Sequence, residues 1–369
     1  MKLGFRKWTV AILLAATLGG AASCDEGSGG PLTLDGFTDA MIVGYCGFFT
    51  RCGGMGADVL AITGGGGAAE CQRRLREAMT AGGAVEPPTA QREAAVARGT
   101  ASWNGQRAAD CMGWIGSASC DDMDSGAFEL AHPECQTILE GSVAAGAGCH
   151  IDDECSNGWC GDSAACPDVC VAFVAAGGAC DGSSARCGPG YECSMEMSRC
   201  EVIVPETVAQ SGQACDIEMG PSCAYGLYCG AAGTCQQTVA AGGSCATAPD
   251  SCAPGTYCLP TDGVCHAPVL ATAAGAACGE TILTLCDPLA DLTCDGPTGR
   301  CVALPGAGQP CVNYQCAIGN YCTSYMDGVC RALQPVGAAC ETDRSCQSGH
   351  CEGGRCVSAA DACGGGDMF

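Results

Sequence analysis

Apolar positions in the first third of the chain fall at helical spacing. Phe37, Met41, Tyr45, Phe48 and Cys52 are separated by four, four, three and four residues, the stripe of a helix that buries one face. Asp35 stands where an N-cap would, and Gly53-Gly54 where that helix would stop. Cys71, Leu75 and Met79 predict a second helix over Ala68 to Met79, with Arg73, Arg74 and Arg76 turned mostly away from its buried face. A third helical stretch runs from Thr89, a cap after Pro87-Pro88, toward Trp114, and Gly99, Gly105 and Gly113 predict that it is broken. Pro133 to Leu139 reads as a last short helix, with Pro in its first turn and Gly141 just past its end. Residues 31–141 thus read as a helical domain whose six cysteines, Cys46, Cys52, Cys71, Cys111, Cys120 and Cys135, suffice for three bridges.

The pattern then changes. A glycine stands three residues before a cysteine at Gly146, Gly177, Gly212, Gly242, Gly275, Gly308 and Gly337, at steps of 31, 35, 30, 33, 33 and 29 residues. Residues 142–357 are therefore seven tandem modules of four cysteines each, read as short strands and turns without room for a helix. Wording recurs inside them: "CAYGLYC" from Cys223, "CAPGTYC" from Cys252 and "CAIGNYC" from Cys316. The first module holds Cys149, Cys155, Cys160 and one of Cys166 or Cys170. The next three hold Cys180, Cys187, Cys193 and Cys200; Cys215, Cys223, Cys229 and Cys235; and Cys245, Cys252, Cys258 and Cys265. The last three hold Cys278, Cys286, Cys294 and Cys301; Cys311, Cys316, Cys322 and Cys330; and Cys340, Cys346, Cys351 and Cys356. One of the Cys166/Cys170 pair, and Cys363 in the tail 358–369, are left over. They could bridge to one another, join neighbouring chains or stay free.

A unit of about 30 residues lies below the roughly 40 under which domains usually need disulfides, metals or partners to fold. Closing a loop of about 15 residues is worth around 3 kcal/mol in the chain-entropy model, so two bridges per module can make the difference. Four cysteines allow three pairings, and spacing does not choose among them. Metal is the competing use of cysteine, but the chain has no C-C, C-x-C or C-x2-C pair. The missing C-x-x-C also removes the thioredoxin-type and haem-attachment motifs. The fold class that follows is small and disulfide-rich: a helical disulfide-bonded domain followed by a tandem array of cysteine-rich β/turn modules.

Residues 1–23 change the cellular setting. Lys2, Arg6 and Lys7 precede a run from Trp8 to Leu18 that is apolar apart from two threonines, the order of an export signal. That run is too short for a permanent membrane helix. Ala21, Ala22 and Ser23 before Cys24 resemble the lipobox of bacterial lipoproteins, in which the cysteine becomes the acylated first residue. Ordinary cleavage after Ala22 or Ser23 is the alternative. Acylation at Cys24 would make the membrane a partner through acyl chains alone, with residues 24–30 as a flexible tether. It would also leave 36 of the 37 cysteines for pairing, an even number.

Without the leader, 13 basic residues, all arginine, face 40 acidic ones, a net charge of −27. A chain this acidic is repelled by nucleic acid, which removes that partner class. Cysteine at a tenth of the residues, with aromatics at 5%, belongs in an oxidising compartment.

Candidate chemistry is sparse. The chain has no G-x-S-x-G, H-E-x-x-H or G-x-x-x-x-G-K-[ST], and the Gly64 to Gly67 run reads as a loop rather than a phosphate cradle, so no cofactor is implied. Asp122 and Asp124 in "CDDMDSG" could offer oxygens to Ca2+, but Met123 and His132 would occupy EF-hand ligand positions, and a solvated turn is the simpler reading. The Asp152, Asp153 and Glu154 cluster is weighed the same way. His132, His150, His266 and His350 lie in separate units, and His132 beside Glu134 is the one acid–base candidate in the helical region. Trp159, Tyr191, Tyr228, Tyr257 and Tyr321 recur near third cysteines, where they could cover a bridge or face outward to bind protein or glycan.

"CHIDDECSNGWC" from Cys149, with "CPDVC" from Cys166, resembles the N-terminal cysteine-rich domain of Dickkopf proteins, and "CETDRSCQSGHC" from Cys340 repeats the opening. The resemblance implies a small disulfide-knit module of an extracellular protein and carries no receptor-binding residue across. The reading favoured by these features is a lipid-anchored, non-enzymatic envelope protein acting in surface interaction or as a spacer. Its modules are expected to form an extended array, each touching mainly its neighbours. Two alternatives remain: an envelope hydrolase with its site in the helical domain, and a cation-binding acidic surface protein.

Overall fold

The structure is a computed structural model. It describes residues 30–363 apart from 53–59, 61–63, 82–87, 125–131, 133–134, 136, 162–165, 195, 205–206, 217–219 and 325–327. The leader, Cys24, the Gly53-Gly54 stop and Glu134 lie outside the described residues.

In the helical domain, α1 (Leu34–Cys52) packs against α2 (Ala68–Ala81) and α4 (Gly105–Ser117). The Thr33 hydroxyl accepts the Gly36 N–H at 3.1 Å, so Thr33 caps α1 and Asp35 sits inside its first turn. The expected break falls at Gly99, which at φ +74° ends α3 (Pro88–Arg98). The chain then runs as strand β1 (Ala101–Trp103) into α4, whose N-cap Asn104 accepts the Arg107 N–H. The predicted last helix stops short of Leu139: Cys135 is helical, while Pro133, Glu134 and Gln136 lie outside the described residues. Leu139 to Gly141 form strand β2, antiparallel to β1, because Leu139 buries against Ala95 and Ala101. The core is apolar: Phe37, Ala108, Cys111, Met112, Ile115 and Ile138, with Trp103 edge-on to Phe37 at 5.2 Å. Bridges Cys46–Cys71, Cys52–Cys120 and Cys111–Cys135 tie the elements together.

The seven modules share one plan. The third and fourth cysteines face each other across an antiparallel pair of strands, as in Cys193↔Cys200, Cys258↔Cys265 and Cys294↔Cys301, yet they do not bond to each other. Each reaches back to a loop cysteine, first to third and second to fourth. The pairs are Cys149–Cys160 and Cys155–Cys170, Cys180–Cys193 and Cys187–Cys200, Cys215–Cys229 and Cys223–Cys235. They continue as Cys245–Cys258 and Cys252–Cys265, and Cys278–Cys294 and Cys286–Cys301. Cys311–Cys322 and Cys316–Cys330, then Cys340–Cys351 and Cys346–Cys356, complete the set.

The repeated glycine has a single cause. Gly242 sits at φ +84° and donates its N–H to the carbonyl of the fourth cysteine, Cys265, at 2.8 Å, while Cys265 donates back to Gly243. The other six repeat glycines lie at φ between +72° and +85° and make the same bond. No atom stands within 4 Å of a Cβ built at Gly242, so the requirement is conformational rather than steric.

Helix is not absent from the array, as the sequence suggested. Single 3-10 turns occur, among them Asp152–Glu154, Pro249–Ser251 and Asp343–Ser345. In the first and last of these an aspartate explains the opening that "CHIDDECSNGWC" and "CETDRSCQSGHC" share. Asp152 accepts the Cys160 N–H and Asp343 the Cys351 N–H, both at 2.7 Å, which pins each loop to its third cysteine.

The expected extended array is also corrected. Cys166 of the first module is bonded to Cys363 of the tail, 197 residues on, so the array closes on itself through what we call the clasp. Cys170 is therefore the fourth cysteine of module one, and Cys166 the extra one.

Candidate functional site

Among the described residues, the helical domain and the array meet at three places. Beside the clasp, Glu154 of module one is fully buried and receives Arg98 Nη2 at 2.7 Å, Thr100 Oγ1 at 2.6 Å and the His150 N–H at 2.5 Å. Ile151 packs with Ala95, Ala101 and Leu139, and Arg98 also donates to the carbonyl of Ala360 in the tail. Gly141 allows this approach, since a Cβ there would lie 2.4 Å from the Glu154 carbonyl. Burial pushes the Glu154 carboxyl up, but the hydrogen bonds from Thr100, Arg98 and His150 outweigh it and hold the group below its ordinary range.

The second contact joins α2 to module five. Arg74 and Asp287 form a two-pronged pair, Nη1 to Oδ2 at 2.9 Å and Nη2 to Oδ1 at 2.7 Å, with side chains 5% and 6% exposed. The Arg74 hydrogen bond is the main reason the Asp287 carboxyl lies below its usual range. Arg74 therefore faces inward, contrary to the sequence reading. The glycine run has a structural use in this contact: a Cβ on Gly64 would lie 2.7 Å from Arg74 Cδ.

The third contact is Tyr225 of module three. It packs with Phe48, Phe49, Cys52 and Ala118, its hydroxyl donates to the Cys52 carbonyl, and its N–H donates to Asp121 at 2.5 Å. "CDDMD" is thus a helical turn, α5 (Cys120–Asp124), and not a solvated loop. The Ser119 N–H donates to Asp122, which is an end-cap role rather than a cation loop.

The four histidines are engaged separately. His132 lies 3.9 Å from the Trp114 ring, His150 Nδ1 is 3.6 Å from Glu154, His266 Nε2 is 2.8 Å from Asp262, and His350 is buried in module seven. The Asp152–Asp153–Glu154 cluster is likewise used internally: Asp153 pairs with Arg92 at 3.0 Å, and Glu154 is the buried anchor described above.

The repeated aromatics divide by strand register. Tyr228, Tyr257 and Tyr321 directly precede the bonded Cys229, Cys258 and Cys322, so alternation along the strand puts them on the hairpin face away from the bridges. They are half-buried, with Gln236, His266 and Arg331 as cross-strand neighbours. Covering the bridge is therefore not their role. Trp159 follows the same register but is buried beneath the Arg186 guanidinium, 4.1 Å from its ring centroid, which joins modules one and two. Tyr191 sits two residues before Cys193, on the cysteine face.

Arg74, Asp287, Glu154 and Tyr225 are contact residues that the sequence pattern did not single out as such, although Arg74 and Tyr225 left a trace. Arg74 lies at i+3 from Cys71 and next to Leu75, on the stripe itself. Tyr225 occupies a position held by Pro254 and Ile318 in sister modules, and a departure from the repeat marks a docking point.

These features define a class: a small disulfide-rich protein whose tandem modules close around a helical domain, held by eighteen bridges suited to an exported setting. Among the described residues no helix is long and apolar enough to cross a membrane. No family model, curated protein or solved structure matches the chain.

Proposed function

We propose that this chain is a non-enzymatic envelope protein, exported by its leader and anchored through an acylated Cys24. Its modules, akin to the Dickkopf cysteine-rich type, act as a rigid scaffold for protein or glycan contacts at the cell surface. The supporting observation is the repetition of one half-buried tyrosine, Tyr228, Tyr257 and Tyr321, on the bridge-free face of three hairpins. Rings held on cross-linked hairpins lose little freedom on binding, and several weak contacts on one scaffold add up through avidity.

The test is binding of the full, envelope-extracted protein to whole cells and to peptidoglycan and glycan arrays. The triple variant Tyr228→Ala, Tyr257→Ala, Tyr321→Ala is expected to bind about 100-fold more weakly, on the order of the avidity being removed. Undiminished binding by a correctly bridged variant, or a hydrolytic turnover that survives it, would sink this reading.

A further inference from the structure

The eighteen bridges are not equivalent. Those inside modules span between 10 and 16 residues and come in adjacent pairs, so each is backed by a second. The clasp spans 197 residues and has no such neighbour. Cys166 is exposed, whereas every other described cysteine is half-buried or buried. A thiolate reagent therefore reaches the clasp first, because access governs thiol–disulfide exchange.

What lies beside the clasp sets it apart further. His150, Cys166 and Cys363 each offer a ligand atom, and these atoms all lie within 4.8 Å of one another. Similar groupings elsewhere, such as Cys149, Cys155 and Cys170, are sulfurs of two adjacent bridges. At the clasp, by contrast, an imidazole joins a single sulfur pair. Behind that imidazole, the buried Glu154 carboxylate lies 3.6 Å from His150 Nδ1 and is itself held by Arg98 and Thr100. A carboxylate behind a ligating histidine fixes the ring and raises its basicity.

We propose that the clasp is a redox-gated site for a borderline-soft divalent cation such as Zn2+, bound by the His150 imidazole and the Cys166 and Cys363 thiolates. A dithiol reductant opens it. One thiolate of the reductant attacks a clasp sulfur and releases the other clasp sulfur as a thiolate; the reductant's second thiolate then attacks the reductant sulfur of the mixed disulfide and releases the remaining clasp thiolate. The reductant leaves as its own disulfide, and two electrons remain on the two clasp sulfurs. Metal binding then releases the thiol protons. Two sulfurs and one nitrogen form a three-ligand set with a fourth position for water. Because His150 and Cys166 belong to module one and Cys363 to the tail, the metal keeps the array closed after the covalent link is lost.

The experiment uses the full chain, treated with a limiting dithiol, desalted and titrated with Zn2+ or, for its thiolate charge-transfer absorption, Co2+. Alkylation with mass mapping is expected to label Cys166 and Cys363 first, and one equivalent of Zn2+ should protect both. His150→Ala, which removes a ligand, should weaken Co2+ binding by at least about 10- to 100-fold, the loss that removing only an outer partner of a ligand brings. Cys363→Ser, which leaves the fourteen module bridges in place, should abolish the band. Labelling that begins at module cysteines, an absent band in the reduced wild-type protein, or an undiminished band in either variant would overturn the proposal.

Discussion

The helical domain and the array solve the same folding problem with different materials. Around Phe37 the interior is Ala108, Met112, Ile115 and Ile138, an ordinary apolar core to which three bridges are added. In module one the buried cluster is Cys149, Cys155, Cys160 and Cys170, with Val143 at its edge. There the bridges are the core. Removal of sulfur and removal of hydrocarbon should therefore act oppositely on the two regions.

The largest effect belongs to that exchange. Phe37→Ala should destabilise the helical domain by about 3–5 kcal/mol, since a large buried ring leaves a cavity, without exposing the hairpin amides of the array. Replacing Cys245 and Cys258 by Ser should cost about 2–4 kcal/mol and open module four, while its neighbours, each with two bridges, stay protected. Native-state hydrogen exchange reads both outcomes. A module four that keeps its hairpin protection without that bridge would contradict the assignment of its core to sulfur.

The joint between the regions comes next. Asp287→Ala strands a buried guanidinium and should cost about 3 kcal/mol, whereas the double change Arg74→Met with Asp287→Leu should come closer to neutral, because neither charge is then buried alone. The same joint is acid-sensitive. Glu154 and Asp287 have carboxyls lowered by folding, so their contribution is complete above the ordinary carboxylate range and is lost as pH falls through the depressed values, below about pH 4. Acid should release the array from α2 while the bridged hairpins persist. Exchange protection at α2 that is unchanged at pH 2 would refute it.

The smallest effect tests the repeat signature. Gly242→Ala forces a side chain into a left-handed backbone at φ +84° and should cost about 1–2 kcal/mol, felt only in module four. Thermal unfolding of the variant, with a melting temperature equal to wild type, would show that the turn can relax into another geometry.

How much of this was legible in sequence depends on distance along the chain. Helices α1 and α2 and the break at Gly99 follow from local spacing and glycine content, and the structure matches them closely. At the end of the domain the structure departs from the expected helix at Leu139. Pro133 to Leu139 has the composition of a helix, but Leu139 is drawn into a strand by burial against Ala95, Ala101 and Ile151, which lies in the next domain. Arg74 was misplaced for a related reason: its partner Asp287 is 213 residues away, and a buried arginine is recognisable only once its carboxylate is known.

By itself, the chain's wording established seven modules, their need for bridges and the positions of the seven repeat glycines, because all of these depend on spacing within about 30 residues. The first-to-third and second-to-fourth pairing was decided only in three dimensions. The hairpin sets its two cysteines side by side on one face, and the loop then brings a different partner within bonding reach of each. The clasp, and with it the closure of the array onto the helical domain, likewise had no local signature. A bond needs its two Cα atoms about 4.4–6.8 Å apart, and nothing short of the complete fold brings Cys166 and Cys363 to the 5.5 Å at which they stand.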